Sequence, residues 1–179
     1  AIEEFRILYT NFPESIWAKE SMVRAGDILL ESGMTDEALI EFKHVIKGFP
    51  NTAFERLAQR KIGEIYKSKA MYDEALKYFN KALTADENEI NAQIQYDIAE
   101  SFEKKGDYEK ASAEYLKVTY LYPKSVFWSA RAELKCGAVL ESLRKWDQAI
   151  KVYERLSERQ VKESEFANKR LEWLRTEHM

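Results

Sequence analysis

Cysteine, proline and glycine are all scarce in this sequence of 179 residues. Its single cysteine, Cys136, excludes a disulfide bond within the chain. Three prolines and six glycines leave room for little irregular structure. No apolar run approaches the ~20 residues needed to span a bilayer, and no signal peptide is recognisable. The 28 basic and 31 acidic residues nearly balance, so no basic excess points to a nucleic-acid partner.

Motifs for catalysis or cofactor binding are missing as well. The sequence has no glycine-rich phosphate loop, no nucleophile elbow and no paired nucleophile and base. Its two histidines, His44 and His178, have no carboxylate or thiol at metal-ligand spacing. Cys136 stands in a column of small and apolar helix residues, which predicts a buried structural thiol. We therefore predict no catalytic site, no metal site and no cofactor.

What the sequence does contain is a repeat of 36 to 38 residues. Alanines recur at this spacing, and each is followed four residues later by an aromatic residue. The alanines are Ala1, Ala38, Ala75, Ala111 and Ala149, and the aromatics are Phe5, Phe42, Phe79, Tyr115 and Tyr153. Small residues precede the last four alanines by twelve positions, at Gly26, Gly63, Ala99 and Gly137. A fixed period of this length predicts a solenoid whose units bury their apolar faces on one another.

Each period reads as two helices joined by a short turn, because apolar residues recur at spacings of three and four. We call the first helix A and the second helix B. In the third unit the turn contains Gly106, which suits a left-handed helix end. Junctions of the form aromatic-Pro-x-Ser/Thr, at residues 12–15, 49–52 and 122–125, predict that the proline ends helix B. The hydroxyl residue is then expected to cap the next helix A, with Asn88 as the cap in the third unit.

A bulky apolar residue occupies the first turn of each predicted A helix. This column consists of Trp17, Phe54, Ile90 and Trp128. We predict that these side chains pack on the preceding B helix as part of the core. Charged clusters at the ends of helices complement the helix dipole and are expected to be solvated.

The pattern of a small residue in helix A, a tight turn, an alanine, an aromatic and a later proline resembles the tetratricopeptide repeat. The first unit matches at Gly26, Ala38, Phe42 and Pro50. The other units match at Gly63, Ala75 and Phe79, at Ala99, Ala111, Tyr115 and Pro123, and at Gly137, Ala149 and Tyr153. The expected fold is an all-α, right-handed superhelical solenoid of antiparallel helix pairs, with about ten helices. The expected single domain comprises a half repeat (1–13), full repeats (14–50, 51–87, 88–123 and 124–161) and a capping helix (162–179).

The long period and the aromatic-Pro-x-Ser/Thr junctions resemble repeats of bacterial cell-envelope proteins. Examples are the outer-membrane assembly lipoproteins and the periplasmic partner of the Tol–Pal system. This resemblance implies a location in the periplasm or cell envelope rather than the cytoplasm. The chain does not begin with methionine, and we expect it to be a piece of a longer protein. A cytoplasmic adaptor and a docking or regulatory region of a larger enzyme remain alternatives.

The resemblance also implies a non-catalytic scaffold that binds a partner polypeptide, because A helices of this family line a concave binding surface. The candidate partner-binding residues on these helices are Asp27, Arg60, Glu64, Gln93, Tyr96, Glu100 and Arg131. Asp27, Glu64 and Glu100 share one column, which is either a solvated face or a site for a basic or amide-rich segment. Arg60 and Glu64 depart from the Lys and Asn of the chaperone carboxylate clamp, so that clamp is not expected.

Residues 1 to 12 match only the B half of a unit. We therefore expect one face of this helix to lack its A partner and to leave Ile2, Phe5, Ile7 and Leu8 partly exposed. Either further repeats precede the chain or another chain covers this face. Self-association through the half repeat is one way to cover it, since exposed apolar patches often mark contacts.

Overall fold

The computed structural model describes residues 2–12 and 14–178, without the side chains of Ile2 and His178. The predictions for Ala1, Pro13 and those two side chains lie outside the described residues. The described residues form ten helices and no strand, so the all-helical prediction is confirmed. The helices are α1 (Ile2–Asn11), α2 (Ile16–Glu31), α3 (Thr35–Gly48), α4 (Ala53–Ser68), α5 (Tyr72–Ala82), α6 (Glu89–Lys105), α7 (Tyr108–Leu121), α8 (Val126–Ser142), α9 (Trp146–Ser157) and α10 (Glu163–His178).

The chain divides into two compact units, Ala1–Leu83 with α1 to α5 and Thr84–Met179 with α6 to α10. In each unit, helices that follow one another in sequence pack together. The A helices also pack side by side: α2 lies on α4 in the N-terminal unit, and α8 lies between α6 and α10 in the C-terminal unit. The A helices therefore form one face of each unit, which we call the A-helix face. The expected repeat boundaries stay a prediction.

The columns of small and aromatic residues meet in the core. A Cβ atom built on Gly26 would lie 2.7 Å from the ring of Phe42, and one on Gly63 would lie 2.7 Å from Phe79. A Cβ atom on Gly137 would lie 2.4 Å from the ring of Tyr153. Closely packed A and B helices thus require the absence of a side chain at these glycines. The prediction that this column allows close helix contact is confirmed.

The turn between each A helix and its B helix has one residue in the left-handed backbone region. Gly33 (φ 76°) and Gly106 (φ 85°) occupy this position in the first and third units. Ala70 (φ 57°) and Arg144 (φ 56°) occupy it in the second and fourth. The prediction for Gly106 is therefore confirmed, and the two other residues carry the strain that glycine avoids.

The N-cap residues of the A helices lie at the predicted positions, but only two of the four cap the helix with their side chains. Ser15, Thr52, Asn88 and Ser125 all stand at the N-cap. The Thr52 hydroxyl accepts a hydrogen bond from the Glu55 amide at 3.3 Å, and the Asn88 side chain accepts one from the Asn91 amide at 2.9 Å. Ser15 and Ser125 make no side-chain cap. The hydroxyl caps predicted at Ser15 and Ser125 were therefore wrong.

The prediction that the first-turn column is core was wrong at two of its four positions. Phe54 and Trp128 are half-buried, and the Phe54 ring lies 6.2 Å from that of Phe49. Trp17 is 69% exposed and Ile90 is 60% exposed. Their surroundings explain the difference, because both lack the buried junction aromatic that Phe49 supplies to Phe54. Asp86 stands in that place before Ile90, and the aromatic before Trp17 is itself exposed.

Candidate functional site

The A-helix face of the N-terminal unit contains a mainly apolar pocket of about 560 Å³. Its walls come from α1, α2 and α4, and Trp17 is its most exposed large apolar side chain. The lining residues are Phe5, Leu8, Trp17, Glu20, Ser21, Val23, Arg24, Asp27, Phe54 and Leu57. Concave, mainly apolar sites with a few polar groups are typical of ligand binding. Sequence reasoning placed Asp27 on this face but assigned Trp17 to the core.

The three candidate residues of the N-terminal unit already have charged neighbours. The Lys61 ammonium lies 2.8 Å from the carboxylate of Asp27 at the edge of the pocket. On α4, the Arg60 guanidinium lies 3.5 Å from the carboxylate of Glu64, one turn away. All four side chains are half-buried. The acidic charge expected along this column is therefore largely balanced within this unit.

In the C-terminal unit, Arg131 lies among three aromatic rings. Its guanidinium carbon is 5.1 Å from the ring centre of Phe127, 5.7 Å from that of Trp128 and 5.8 Å from that of Tyr96. These distances are those of cation–π contacts, which orient a guanidinium without neutralising its charge. Arg131 is exposed, and Phe127 is 52% exposed. Both side chains are therefore accessible to a partner on the A-helix face.

Tyr96 is the buried member of this aromatic cluster. It is only 5% exposed, and its ring lies 5.3 Å from the ring centre of Tyr115 and 5.2 Å from that of Trp128. Burial raises the pKa of the Tyr96 hydroxyl, and the nearby Glu100 carboxylate shifts the pKa in the same direction. Glu100 and Gln93, the remaining candidates, are half-buried on the same helix. Tyr96 therefore helps to position the Arg131 side chain and contributes little accessible surface of its own.

Two glutamates near the C-terminal ends of A helices have structural roles. Tyr115 donates a hydrogen bond to Glu103, whose other oxygen lies 3.2 Å from the ammonium of Lys135. The Tyr153 hydroxyl donates to Glu141 at 2.7 Å. The Nε–H of Arg170 donates a bifurcated hydrogen bond to the two carboxylate oxygens of Glu141, both at 2.9 Å. Each glutamate therefore links an aromatic B-helix residue to the next A helix.

A second cavity of about 520 Å³ lies between α1, α2 and α3. The buried carboxylate of Glu41 accepts a hydrogen bond from Arg6 at 3.0 Å and lies 3.6 Å from Nδ1 of His44. Glu41 is 3% exposed, so Arg6 supplies the charge that keeps it buried. These contacts join α1 to α3. They also correct the sequence-based statement on His44, because Glu41, three residues earlier, places its carboxylate beside the imidazole.

Cys136 is fully buried, and burial raises the pKa of its thiol to about 12. The prediction of a buried structural thiol is confirmed. In the described part of the chain, no three His, Cys, Asp or Glu side chains are grouped closely enough to hold a metal ion. None of the described helices has the length and apolar character needed to cross a membrane.

Repeated pairs of helices with a common A-helix face define the class of helical-repeat proteins. Three sequence models match the chain, at residues 20–52, 69–134 and 134–165, and each describes a tetratricopeptide repeat. The chain therefore belongs to the tetratricopeptide-repeat family. Proteins with this fold generally mediate protein–protein interaction.

Solved structures agree with this fold. MamA has a TM-score of 0.70 and 19% identity, with 94% of this chain and 89% of that chain covered. BtubC from P. vanneervenii has a TM-score of 0.70 and 16% identity, with 98% and 87% covered. YrrB, a tetratricopeptide-repeat protein with an unusual peptide-binding site, has a TM-score of 0.67 and 17% identity, with 100% and 96% covered. No curated protein sequence matches significantly.

Proposed function

We propose that this chain is a non-catalytic scaffold that binds a partner polypeptide on its A-helix face. The observation that carries the proposal is the pocket of about 560 Å³ beside the exposed indole of Trp17. Contiguous exposed apolar surface often marks an interaction site, and Trp and Arg are enriched at binding hot spots. The peptide-binding site named for the similar protein YrrB supports the same kind of partner.

The candidate residues divide between the A-helix faces of the two units. In the N-terminal unit, Asp27, Arg60 and Glu64 are proposed as the polar border of the Trp17 pocket. Their balanced charges favour an apolar anchor residue of the partner over the basic or amide-rich segment considered from the sequence. The other candidates, Gln93, Tyr96, Glu100 and Arg131, form the corresponding surface of the C-terminal unit. There, the exposed Arg131 guanidinium is proposed to bind a carbonyl or carboxylate group of the partner.

Site-specific photo-crosslinking tests this proposal, because it traps a partner whose identity is unknown. p-Benzoylphenylalanine is placed at Trp17 and Phe127 on A helices, and at Ile40 and Tyr120 on B helices as controls. All four side chains are more than half exposed. Trp17 is 69% exposed, and the other three are between 52% and 67% exposed. In cells of the source organism, we expect one partner to crosslink at positions 17 and 127 only. Crosslinks confined to positions 40 and 120 would reject the A-helix face.

We further propose that the chain is part of a larger bacterial envelope protein. The support is the sequence pattern of its long repeats and aromatic-Pro-x-Ser/Thr junctions. The test is to read the complete gene and fractionate cells that carry the full-length protein. A signal sequence with a lipid-attachment cysteine and an envelope fraction would agree with the proposal. A cytoplasmic fraction, or an attached catalytic domain, would favour the adaptor or the enzyme-docking alternative instead.

A further inference from the structure

The cavity of about 520 Å³ between α1, α2 and α3 has an apolar wall and a polar rim. Phe5 and Tyr9 of α1 and the buried Met22 of α2 supply the apolar wall. The Tyr9 ring packs edge-on against Phe49, with 5.7 Å between the ring centres. Sites for small molecules typically have volumes of about 300–1,000 Å³. The cavity is therefore large enough to hold a small organic ligand.

In the fourth repeat, the chain's own side chains cross the equivalent cleft, which lies between α7, α8 and α9. Arg155 of α9 donates a hydrogen bond to the Tyr120 hydroxyl of α7 at 2.9 Å. Arg159, which follows α9, places its Nε 2.9 Å from the buried carboxylate of Glu133 on α8. These long side chains bridge the helices and occupy the space between them.

Shorter residues stand at the same positions of the first repeat. Counted from the alanine column, the counterparts of Tyr120, Arg155 and Arg159 are, in that order, Thr10, His44 and Gly48. Each is smaller than the residue of the fourth repeat, so the cleft between α1 and α3 stays open. The cavity thus results from the residues that line it.

A helix ahead of α1 would not close this cavity. In the C-terminal unit, the A helix α6 packs on α7 and α8 but, among the described residues, not on α9. By the same arrangement, a helix before α1 would pack on α1 and α2 and leave α3 uncovered. His44 and Lys47 of α3 would therefore still be accessible at the rim.

Basic side chains dominate this rim. Arg6, His44 and Lys47 line the cavity together with one carboxylate, that of Glu41. Arg6 binds the buried Glu41 at 3.0 Å, so the charge of the carboxylate is balanced within the wall. Lys47 and His44 are exposed and offer N–H donors to a ligand. The rim therefore favours an anionic ligand over a cationic one.

We propose that this cavity binds a small aromatic carboxylate. Its ring lies against Phe5, Tyr9 and Met22, and its carboxylate accepts hydrogen bonds from Lys47 and His44. Phe5 is the one lining residue that this cavity shares with the pocket on the A-helix face. The proposal therefore stands apart from the polypeptide site.

The probe is α-naphthylacetate, compared with its neutral amide, α-naphthylacetamide, and with a cation of similar shape, α-naphthylethylamine. Binding to the whole chain is followed by the chemical shifts of the backbone amides in nuclear magnetic resonance spectra. Thr10→Tyr copies the fourth repeat and fills the cavity without changing its charge. Lys47→Ala removes a cation of the rim, and Lys43→Ala is the matched control at an exposed lysine of α3 outside the lining. Trp17→Ala alters only the pocket on the A-helix face.

We expect saturable shifts in α1 and α3 with α-naphthylacetate, and binding roughly tenfold weaker for the amide and the amine, because charge-assisted hydrogen bonds are lost. Lys47→Ala should weaken binding by a similar factor, and Lys43→Ala and Trp17→Ala should leave it unchanged. Thr10→Tyr should abolish binding while the circular-dichroism spectrum stays that of the original chain.

Several results would overturn the proposal. They are the absence of saturable binding, equal binding of the amide or the amine, and equal effects of Lys47→Ala and Lys43→Ala. Binding that Trp17→Ala abolishes and Thr10→Tyr leaves intact would put the probe in the pocket on the A-helix face and would likewise reject this site.

Discussion

The backbone of Gly26 lies directly against the ring of Phe42, so closely that a Cβ atom there would be 2.7 Å from Cε1 and Cζ. The ring is fully buried and cannot swing aside without disturbing the core. Gly63 with Phe79 repeats this contact at the same separation of sixteen residues along the chain. At these two positions, the close approach of the A and B helices depends on glycine facing an aromatic ring.

The first prediction is that Gly63→Ala destabilises the chain. In an open helix position this change would stabilise by roughly 1 kcal/mol, because alanine favours helices. Here the added methyl group overpacks the contact with Phe79, and we expect a net loss of about 1–3 kcal/mol. Urea unfolding measures the change. In the background of Phe79→Leu the same substitution should cost less, and an equal cost in both backgrounds would contradict the contact.

The second prediction concerns the strained turns. Ala70 and Arg144 have positive φ angles, which cost a non-glycine residue about 1–2 kcal/mol. We expect Ala70→Gly and Arg144→Gly each to stabilise by up to about 1 kcal/mol, since part of the gain is offset by entropy of the unfolded chain. The reverse changes, Gly33→Ala and Gly106→Ala, should destabilise, although a Cβ atom would meet nothing within 4 Å at either glycine. Thermal melts of the four variants check these opposite signs.

The third prediction is that Cys136 does not react with a thiol reagent while the chain is folded. With a pKa of about 12, only about one thiol in ten thousand is ionised at pH 8. Modification by Ellman's reagent should therefore follow unfolding, and it should be rapid in denaturing urea. The thiol of the unfolded chain ionises nearer its ordinary pKa of 9.0, whereas the buried thiol stays protonated up to a pH of about 12. The contribution of Cys136 to the free energy of unfolding should therefore fall as the pH rises from 9 towards 12. Cys136→Ala should lack that part of the pH dependence, and fast labelling of the native chain would disprove the burial.

The fourth prediction is that Glu141 holds α10 in place. It accepts hydrogen bonds from Tyr153 of α9 and Arg170 of α10. Glu141→Ala removes charge-assisted bonds, and we expect a loss of about 1.5–3 kcal/mol with faster amide exchange in α10. Lys169→Ala, which breaks only the exposed pair with Glu165, should cost less than about 0.5 kcal/mol. Equal effects of the two substitutions would show that Glu141 contributes only a surface contact.

The helix pairs and their close contacts could be predicted from the sequence, because a fixed period reveals which residues share an environment. Gly26, Phe42 and Ala38 each recur in register, and each keeps the same contact or burial in later repeats. Capping was less predictable, since Ser15 and Ser125 have suitable side chains at the N-cap but make no side-chain cap, whereas Thr52 and Asn88 do.

The surface of the A helices was harder to predict. The exposure of Trp17 goes with the exposure of Phe12 at the preceding junction, although both residues fit the columns of aromatic residues that recur along the chain. Phe127 was missed because it stands between two apolar neighbours in α8, and successive helix residues point in different directions. The pairing of Asp27 with Lys61 joins two helices at a separation of 34 residues, which periodicity alone does not reveal.

Amide hydrogen exchange of the chain, with and without the partner identified by crosslinking, tests the account most directly. Bound polypeptide should slow exchange in the A helices, most strongly in the first turns of α2 and α8 around Trp17 and Phe127. Exchange in α3, α7 and α9 should change little. Protection confined to those B helices, with α2 and α8 unaffected, would contradict binding on the A-helix face.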